Sequence, residues 1–283
     1  MKKLIIVVLI TAGLFAAICI FGSDIPVTQN PDLNNPSETL LDSDGDGMSN
    51  WFEENIAGYD PNIPNDRFII IYFCFANDPN FSGEITDSYY DFFVEKGHIP
   101  PENIVLLKKE EANATNLRGA IEKIASKSDE NDIVFLFLNG HGGEGGIEKD
   151  VKYTALDGWL DQIEAKAVIT TIMACGCENA LPILKDGTCP RIVFVQSAGE
   201  FIGALGSDNE YFTTVDTEYG NGDSYISLGE IGNWLDNDPM WGPDWGELYE
   251  NGRSHLEANS YSKMSDTSNL ADQIYLTDYK IPG

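Results

Sequence analysis

The chain has 283 residues, enough for one large α/β domain with small additions, and its 42% hydrophobic and 11% aromatic content is typical of a folded protein. Acidic residues outnumber basic ones by 46 to 17, which gives a formal net charge of −29 at pH 7. A surface with this charge repels nucleic-acid phosphates and anionic lipid headgroups, so neither is an expected partner.

The amino terminus predicts export. Two lysines follow Met1 and precede eighteen uncharged, mostly apolar residues, 4–21, a pattern typical of a secretory signal or signal anchor. The apolar run just reaches the length that spans a bilayer, and the positive charge before it keeps the amino terminus inside. We expect residues 1–22 to be a signal peptide or signal anchor and the only contact with membrane. Residues 23–41, rich in Pro, Asn, Asp and Ser, then form a spacer to an extracellular or cell-surface body.

An acidic loop follows the spacer and matches the calcium-loop template D-x-D-x-D-G-x5-E at every defined position. Carboxylates at alternate positions can converge on one hard cation, and Gly47 permits the sharp turn between them. We predict a structural calcium site in the segment 42–66 and no organic cofactor; a solvated acidic turn is the alternative. The expected ligands are Asp42, Asp44, Asp46, the carbonyl of Met48, Asn50 and Glu53.

From Arg67 onward, buried strands alternate with helices. Strands are predicted at 68–75, 103–107, 133–138, 168–173 and 191–197, and helices around 87–96 and 155–165 and through Leu117, Ile121 and Ile124. This alternation produces parallel βαβ units. We therefore predict an α/β domain over residues 67–283 with a mainly parallel central sheet.

The third and fourth predicted strands end in residues with catalytic potential. His141, flanked by glycines, follows the third strand, and Cys175 follows the fourth. Such strand ends share one sheet edge, where active sites of open α/β sheets collect. A thiol is a good nucleophile as thiolate, and an imidazole beside it supplies the base and later the acid. The backbone N–H groups of Gly142 and Cys175 are candidate oxyanion donors. His98 is a predicted surface residue, and His255, in the polar C-terminal region, is not expected to be catalytic.

These strand ends resemble the caspase–legumain–gingipain clan of cysteine peptidases, and they are most similar to legumain-like (haemoglobinase-type) peptidases of archaea and bacteria. The similar stretches are Asp132 to Gly143, Cys175 to Leu184, Arg191 to Ala198 and Met264 to Leu276, so the resemblance covers about residues 67–278. It implies a caspase-haemoglobinase-like three-layer α/β/α sandwich. It also implies an exported cysteine endopeptidase that cleaves peptide or protein substrates through an acyl-enzyme, with His141 and Cys175 as its dyad and Gly142 at the oxyanion.

The chain departs from this family around the nucleophile. Met173 stands where the family usually has an acid or amide, which leaves the specificity undefined, and Cys177 stands in place of a serine, which makes it a rival nucleophile. We favour Cys175, because Ala174 precedes it and the residues after it then keep the family register. The alternative is a structural role for both thiols, which could include a disulfide between Cys177 and Cys189.

Two other functions fit the same residues. One is a catalytically inactive caspase-like protein that binds calcium at the cell surface. The other is a transpeptidase or transamidase, since an amine can resolve an acyl-enzyme in place of water. The sequence predicts neither the oligomeric state nor the substrate preference.

Residues 221–230 resemble the second half of a calcium loop. However, Tyr219 stands at the first ligand position and Ser224 replaces the turn glycine. The alternative is a plain turn that leads into a helix over residues 228–235.

Overall fold

The computed structural model describes residues 41–74, 84–95, 97–143, 145–148, 150–196, 215–237 and 262–275. The predicted signal segment, nearly all of the predicted spacer, and His255 lie outside these ranges. Within them, no helix is both long enough and apolar enough to cross a membrane.

A six-stranded, mostly parallel sheet organises the fold. The strands in chain order are β1 (Arg67–Phe73), β2 (Ile104–Lys108), β3 (Ile133–Asn139), β4 (Gly142–Gly143), β5 (Gly146–Ile147), β6 (Val151–Lys152), β7 (Ala167–Met173), β8 (Arg191–Gln196) and β9 (Ser262–Asp266). The large sheet has the order β2-β1-β3-β7-β8-β9; its first five strands are parallel, and β9 is antiparallel to β8. The short strands β4, β5 and β6 form a separate antiparallel sheet directly after β3.

The described residues include six α-helices, and the second to the fifth of these connect the parallel strands. They are α1 (Asn50–Phe52), α2 (Glu84–Glu95), α3 (Ala114–Ala125), α4 (Tyr153–Leu160), α5 (Leu181–Leu184) and α6 (Leu228–Asn237). The side chain of Asn113 caps α3 by accepting a hydrogen bond from the N–H of Asn116. The helix predicted over 155–165 is shorter in the structure and ends at Leu160. The next residue, Asp161, leaves the helix and places its carboxylate 2.8 Å from the guanidinium of Arg191.

Helices cover both faces of the sheet. Side chains of β1 alternate between the two: Phe68 and Ile70 pack into the core with α3, α4 and α5, whereas Ile69 and Ile71 pack into the opposite core with α2 and α6. Alternation of this kind, with both sets buried, is typical of a parallel sheet between two helical layers. The predicted three-layer α/β/α sandwich with a mainly parallel central sheet is confirmed.

Candidate active site and cation-binding loop

The carboxyl ends of β3 and β7 bring His141 and Cys175 to one edge of the sheet. Asn139 at the end of β3 pairs with Met173 at the end of β7, and His141 and Cys175 each follow two residues later. The N–H of Gly140 donates to the carbonyl of Met173 at 3.2 Å, which extends the pairing beyond the strands. Both side chains are exposed, so substrate can reach them.

The loop that carries His141 lies directly on the loop that carries Cys175. A Cβ atom added to Gly142 would clash with the carbonyl oxygen of Cys175 and would lie 2.9 Å from its backbone nitrogen. Only glycine fits at this position, because any larger residue would push the two loops apart. The backbones of Gly142 and Cys175, whose N–H groups are the candidate oxyanion donors, are therefore in contact.

The two rival thiols have different environments. Cys175 is exposed, whereas Cys177 is fully buried and its Sγ donates to the carbonyl of Ile172 at 3.5 Å. A thiol without access to solvent does not reach a substrate, so burial favours Cys175 as the nucleophile. Cys177 and Cys189 are both free thiols, so the disulfide considered from the sequence is not formed.

A carboxylate that the sequence did not single out supports the His141 loop. Oε1 of Glu148 accepts from the N–H of His141 at 2.9 Å and from the thiol of Cys74 at 3.1 Å. The N–H of Glu148 donates in return to the carbonyl of His141 at 2.6 Å. Burial, reinforced by Glu148, raises the pKa of Cys74 far above its usual value. Cys74 therefore stays protonated and serves as a hydrogen-bond donor rather than as a nucleophile.

A cavity of about 400 Å³ lies beside His141. Its walls are formed by the glycine-rich hairpin, and Lys152 places a positive charge in it. Neither Cys175 nor Met173 contributes to the lining, and Met173 is only 6% exposed. The residues that line the cavity are His141, Gly142, Gly143, Gly145, Gly146, Glu148 and Lys152.

The acidic loop before β1 brings three predicted cation ligands together. Asp42, Asp44 and Asp46 offer carboxylate oxygens that all lie within 4.8 Å of one another. The carboxylate of Asp42 also accepts from the N–H groups of Gly45 at 2.6 Å and of Gly47 at 3.1 Å. Gly47 has a φ of 86°, and a Cβ there would clash with the carbonyl of His98, so the turn requires glycine.

Glu53 is the predicted ligand with the most unusual environment. Its side chain is fully buried, and neither carboxylate oxygen has a hydrogen-bond partner in the described part of the chain. Burial, together with the charges of Asp46, Asp44 and Asp42, raises the pKa of Glu53 to about 8, although the positive charge of Arg67 opposes the shift. A buried carboxylate in this state is stabilised by an oxygen-seeking cation, so the residues present fit calcium.

Asn50, a further predicted ligand, is placed differently. The side chain of Asn50 is bound to Ser43, since Oδ1 accepts from the N–H of Ser43 and the amide donates to its hydroxyl, both at 2.8 Å. The side chain of Asn50 therefore joins the two ends of the loop and is not available to the cation ligands. The side chain of Met48 is buried in an aromatic cluster with Phe52, Tyr225 and Tyr275.

This acidic loop is fixed at the amino end of β1. Oδ2 of Asp46 accepts from the N–H of Asn65 at 2.9 Å, and Asn65 lies two residues before Arg67, where β1 begins. The rings of Phe52 and Tyr275 meet edge to face with their centroids 5.4 Å apart. The loop thus lies at the opposite end of the strands from His141.

Comparison with known proteins assigns no family. No protein-family model matches the chain, and no curated protein matches it. Among solved structures, the crystal structure of protein GSU0716 from Geobacter sulfurreducens is similar, with 13% sequence identity and a TM-score of 0.47, over 78% of this chain and 100% of that chain. A likeness this distant carries no argument about activity, which has to be argued from the site itself.

Proposed function

We propose that the protein is an exported cysteine endopeptidase of the caspase–legumain type, with Cys175 as nucleophile and His141 as general base and acid. The observation that carries this proposal is the contact between the Gly142 and Cys175 backbones at the shared end of β3 and β7. It holds an exposed imidazole and an exposed thiol on touching loops, with two backbone N–H groups beside them.

The chemistry follows from these groups. His141 takes the proton of the Cys175 thiol, and the thiolate attacks the carbonyl carbon of the substrate's peptide bond. The oxyanion of the tetrahedral intermediate accepts hydrogen bonds from the N–H groups of Gly142 and Cys175. His141 then returns the proton to the leaving amine, which departs and leaves a thioester. Water, deprotonated by His141, hydrolyses the thioester and frees the thiol.

Glu148 has a positioning role in this proposal. Its carboxylate and N–H hold both backbone polar groups of His141, at 2.9 Å and 2.6 Å, while its second contact with Cys74 ties the loop to the end of β1. Such a clamp limits the motion of a loop that is otherwise rich in glycine. It keeps the imidazole near the thiol without touching the reacting atoms.

Calcium in the acidic loop has a structural role in the same proposal. A cation there would neutralise the carboxylates of Asp42, Asp44, Asp46 and Glu53 and fix the chain where it enters β1. The loop is at the amino end of the strands and the dyad at the carboxyl end, so this cation takes no part in bond cleavage.

Reaction with activity-dependent probes tests the proposal. The calcium-loaded protein is incubated with acyloxymethylketone peptides that differ in the residue before the warhead, and the adduct is mapped by peptide mass spectrometry. We expect one adduct, on Cys175, that disappears when the protein is denatured before labelling. An adduct on Cys177 would show that Cys177, and not Cys175, is the nucleophile. A folded protein that no probe labels would contradict the peptidase and favour the inactive calcium-binding alternative.

A further inference from the structure

Residues 216–230, here called the second loop, repeat the hydrogen-bond pattern of the acidic loop before β1. Oδ2 of Asp216 accepts from the N–H of Ser224 at 3.1 Å, just as Oδ2 of Asp42 accepts from the N–H of Gly47 at 3.1 Å. In both loops the first carboxylate accepts a hydrogen bond from the N–H of a residue whose φ is positive. That φ is 74° at Ser224 and 86° at Gly47.

The next two side chains of the second loop follow the same pattern. Oδ1 of Asn221 accepts from the N–H of Asp223, and Oδ1 of Asp223 accepts from the N–H of Tyr225, both at 2.8 Å. The corresponding bonds of the acidic loop join Asp44 to the N–H of Asp46 at 3.4 Å and Asp46 to the N–H of Met48 at 2.7 Å. Glu230 follows Asp223 by the same seven residues that separate Glu53 from Asp46.

The structure changes which residue occupies the first ligand position. Counting back from Asp223 along the template selects Tyr219, which has no carboxylate. The chain instead makes a helical turn at 215–218, and the carbonyl of Asp216 accepts from the N–H of Gly222 at 3.0 Å. Asp216 therefore reaches the position from three residues further upstream, and the loop has a complete set of oxygen donors.

The carboxylate of Asp216 gives a second indication of a cation site in this loop. Asp216 is only 4% exposed, and its Oδ1 has no hydrogen-bond partner among the described residues. Because Oδ2 of the same carboxylate is bound to the N–H of Ser224, Oδ1 is held inside the loop as well. A buried carboxylate oxygen without a donor destabilises the fold unless a cation or donor binds it.

The hydrogen bonds of Glu230 alone would not indicate a metal. Its Oε1 accepts from the N–H of Asn221 at 3.0 Å and its Oε2 accepts from the N–H of Ser227. The hydroxyl of Ser227 accepts in return from the N–H of Glu230, which completes a capping box at the start of α6. This confirms the helix predicted from Leu228.

We propose that the second loop binds a second divalent cation, calcium, through Asp216, Asn221, Asp223, the carbonyl of Tyr225 and Glu230. Oxygen ligands from alternate positions, a turn at positive φ and a closing glutamate are the arrangement that calcium requires. The site uses the Tyr225 carbonyl where the acidic loop uses that of Met48.

The two loops pack on each other. The ring of Tyr225 lies 5.1 Å from that of Phe52 and 6.3 Å from that of Trp51, measured between centroids. Phe52 immediately precedes Glu53, and the carbonyl of Tyr225 is a proposed ligand of the second loop, so this ring contact joins the two loops beside their ligands. A pair of adjacent cation loops would thus stabilise one corner of the protein.

Counting the bound ions tests the second site. Equilibrium dialysis of the full-length chain with radioactive calcium should give two ions per chain, and calorimetry supplies the affinities. Asp216→Asn should bind one ion normally and the other at least about tenfold more weakly, since even the partners of metal ligands contribute tenfold or more to affinity. Glu218→Gln, with the same charge change on an exposed side chain of the same segment, should keep both ions.

The outcome separates this site from the acidic loop. A variant with Asp44→Ala and Asp46→Ala should lose one ion and keep the one that Asp216→Asn weakens. Asp223→Asn repeats the test with a second ligand, and circular dichroism in chelator checks that each variant folds. The proposal would be overturned if the wild-type chain bound no ion beyond the one that the Asp44→Ala and Asp46→Ala variant loses. It would also be overturned if Asp216→Asn bound every ion with the affinity of the wild type.

Discussion

The two ends of the parallel strands carry polar groups in opposite environments. At the carboxyl end, His141 and Cys175 are exposed on loops with many glycines. At the amino end, Asp46 and Glu53 are almost completely buried, and neither carboxylate oxygen of Glu53 has a hydrogen-bond donor within the described ranges. Exposure suits groups that must meet a substrate, whereas buried carboxylates suit a permanently bound cation.

The separation of the two ends distinguishes catalysis from stability. β1 has seven residues, and a strand of that length spans roughly 20 Å. A cation at Asp46 is therefore too far from Cys175 to polarise a bound carbonyl. We expect changes at one end to alter the rate and changes at the other end to alter the free energy of unfolding, and the predictions below use that contrast.

Loss of His141 should have the largest effect. His141→Ala removes both the base that forms the thiolate and the acid that protonates the leaving amine, so we expect peptide cleavage to fall by about 10²- to 10⁴-fold. The side chain is exposed, so the melting temperature should change little. Initial rates on a peptide substrate and a thermal melt of the same sample provide the measurement.

His98→Ala is the matched control, because His98 is also an exposed histidine. It lies near the acidic loop, where its carbonyl contacts Gly47 through the backbone, and its rate should remain close to that of the wild type. Equal losses in the two variants would indicate a folding defect and would contradict the role of His141.

Calcium should act on stability. A ligand that binds only the folded protein adds about 2.7 kcal/mol to the free energy of unfolding at a hundredfold excess over its dissociation constant. Calcium should therefore raise the melting temperature, and the double variant Asp44→Ala with Asp46→Ala should lose most of the rise that the acidic loop provides. Cleavage by the double variant at low temperature should remain measurable, since the dyad is intact.

Glu110→Ala with Glu111→Ala is the control for that experiment, because both acids are exposed and lie in a short 3₁₀ turn far along the chain. It should respond to calcium as the wild type does. A double variant of the acidic loop that keeps the full response would leave the second loop as the principal site. Loss of cleavage at low temperature would contradict the separation of the two ends.

The pH dependence of the calcium-free protein should show a smaller effect. The pKa of Glu53 is about 8 in the folded chain and about 4.3 when unfolded, so folding favours the protonated form. The stability that this group contributes is complete below about pH 4.3 and is lost as the pH rises to 8, by at most about 1.4 kcal/mol per pH unit. Urea unfolding in chelator from pH 5 to 8 measures it.

The difference between wild type and Glu53→Gln isolates the group, because glutamine does not titrate. The wild type should lose stability relative to this variant as the pH rises. With calcium at pH 8, the wild type should instead be the more stable of the two. Glu54→Gln, at the exposed neighbouring residue, should run parallel to the wild type. If the stability of Glu53→Gln followed that of the wild type at every pH, another group would already neutralise the Glu53 carboxylate in the calcium-free protein.

The main features of the fold could be predicted because they depend on local patterns. Five strands were found to within two residues at each end, since each is a short apolar run that is buried on both faces. The end of α4 was predicted too late, because it depends on Asp161 turning toward Arg191 on β8, thirty residues away. β9 was not predicted as a strand, since its polar residues pair with β8 across a long stretch of chain.

The site was predictable only where strand ends determine it. His141 and Cys175 share an edge because parallel neighbouring strands end together, which the sequence already indicates. Glu148 contacts His141 through a hairpin of two-residue strands that has no sequence signature. Asp216 lies outside the template register, because a helical turn brings it in from three residues upstream. Both were missed because tertiary contacts place them.

The central claim is that Cys175 is the nucleophile of a peptidase. The most direct measurement compares cleavage of an unfolded protein substrate by wild type, Cys175→Ala and Cys177→Ala, with products identified by mass spectrometry. Cys175→Ala should give no products. Cys177→Ala should keep appreciable activity, with a lower melting temperature because the change opens a small cavity in the core. Loss of activity in Cys177→Ala alone, or activity in Cys175→Ala equal to that of the wild type, would contradict the account.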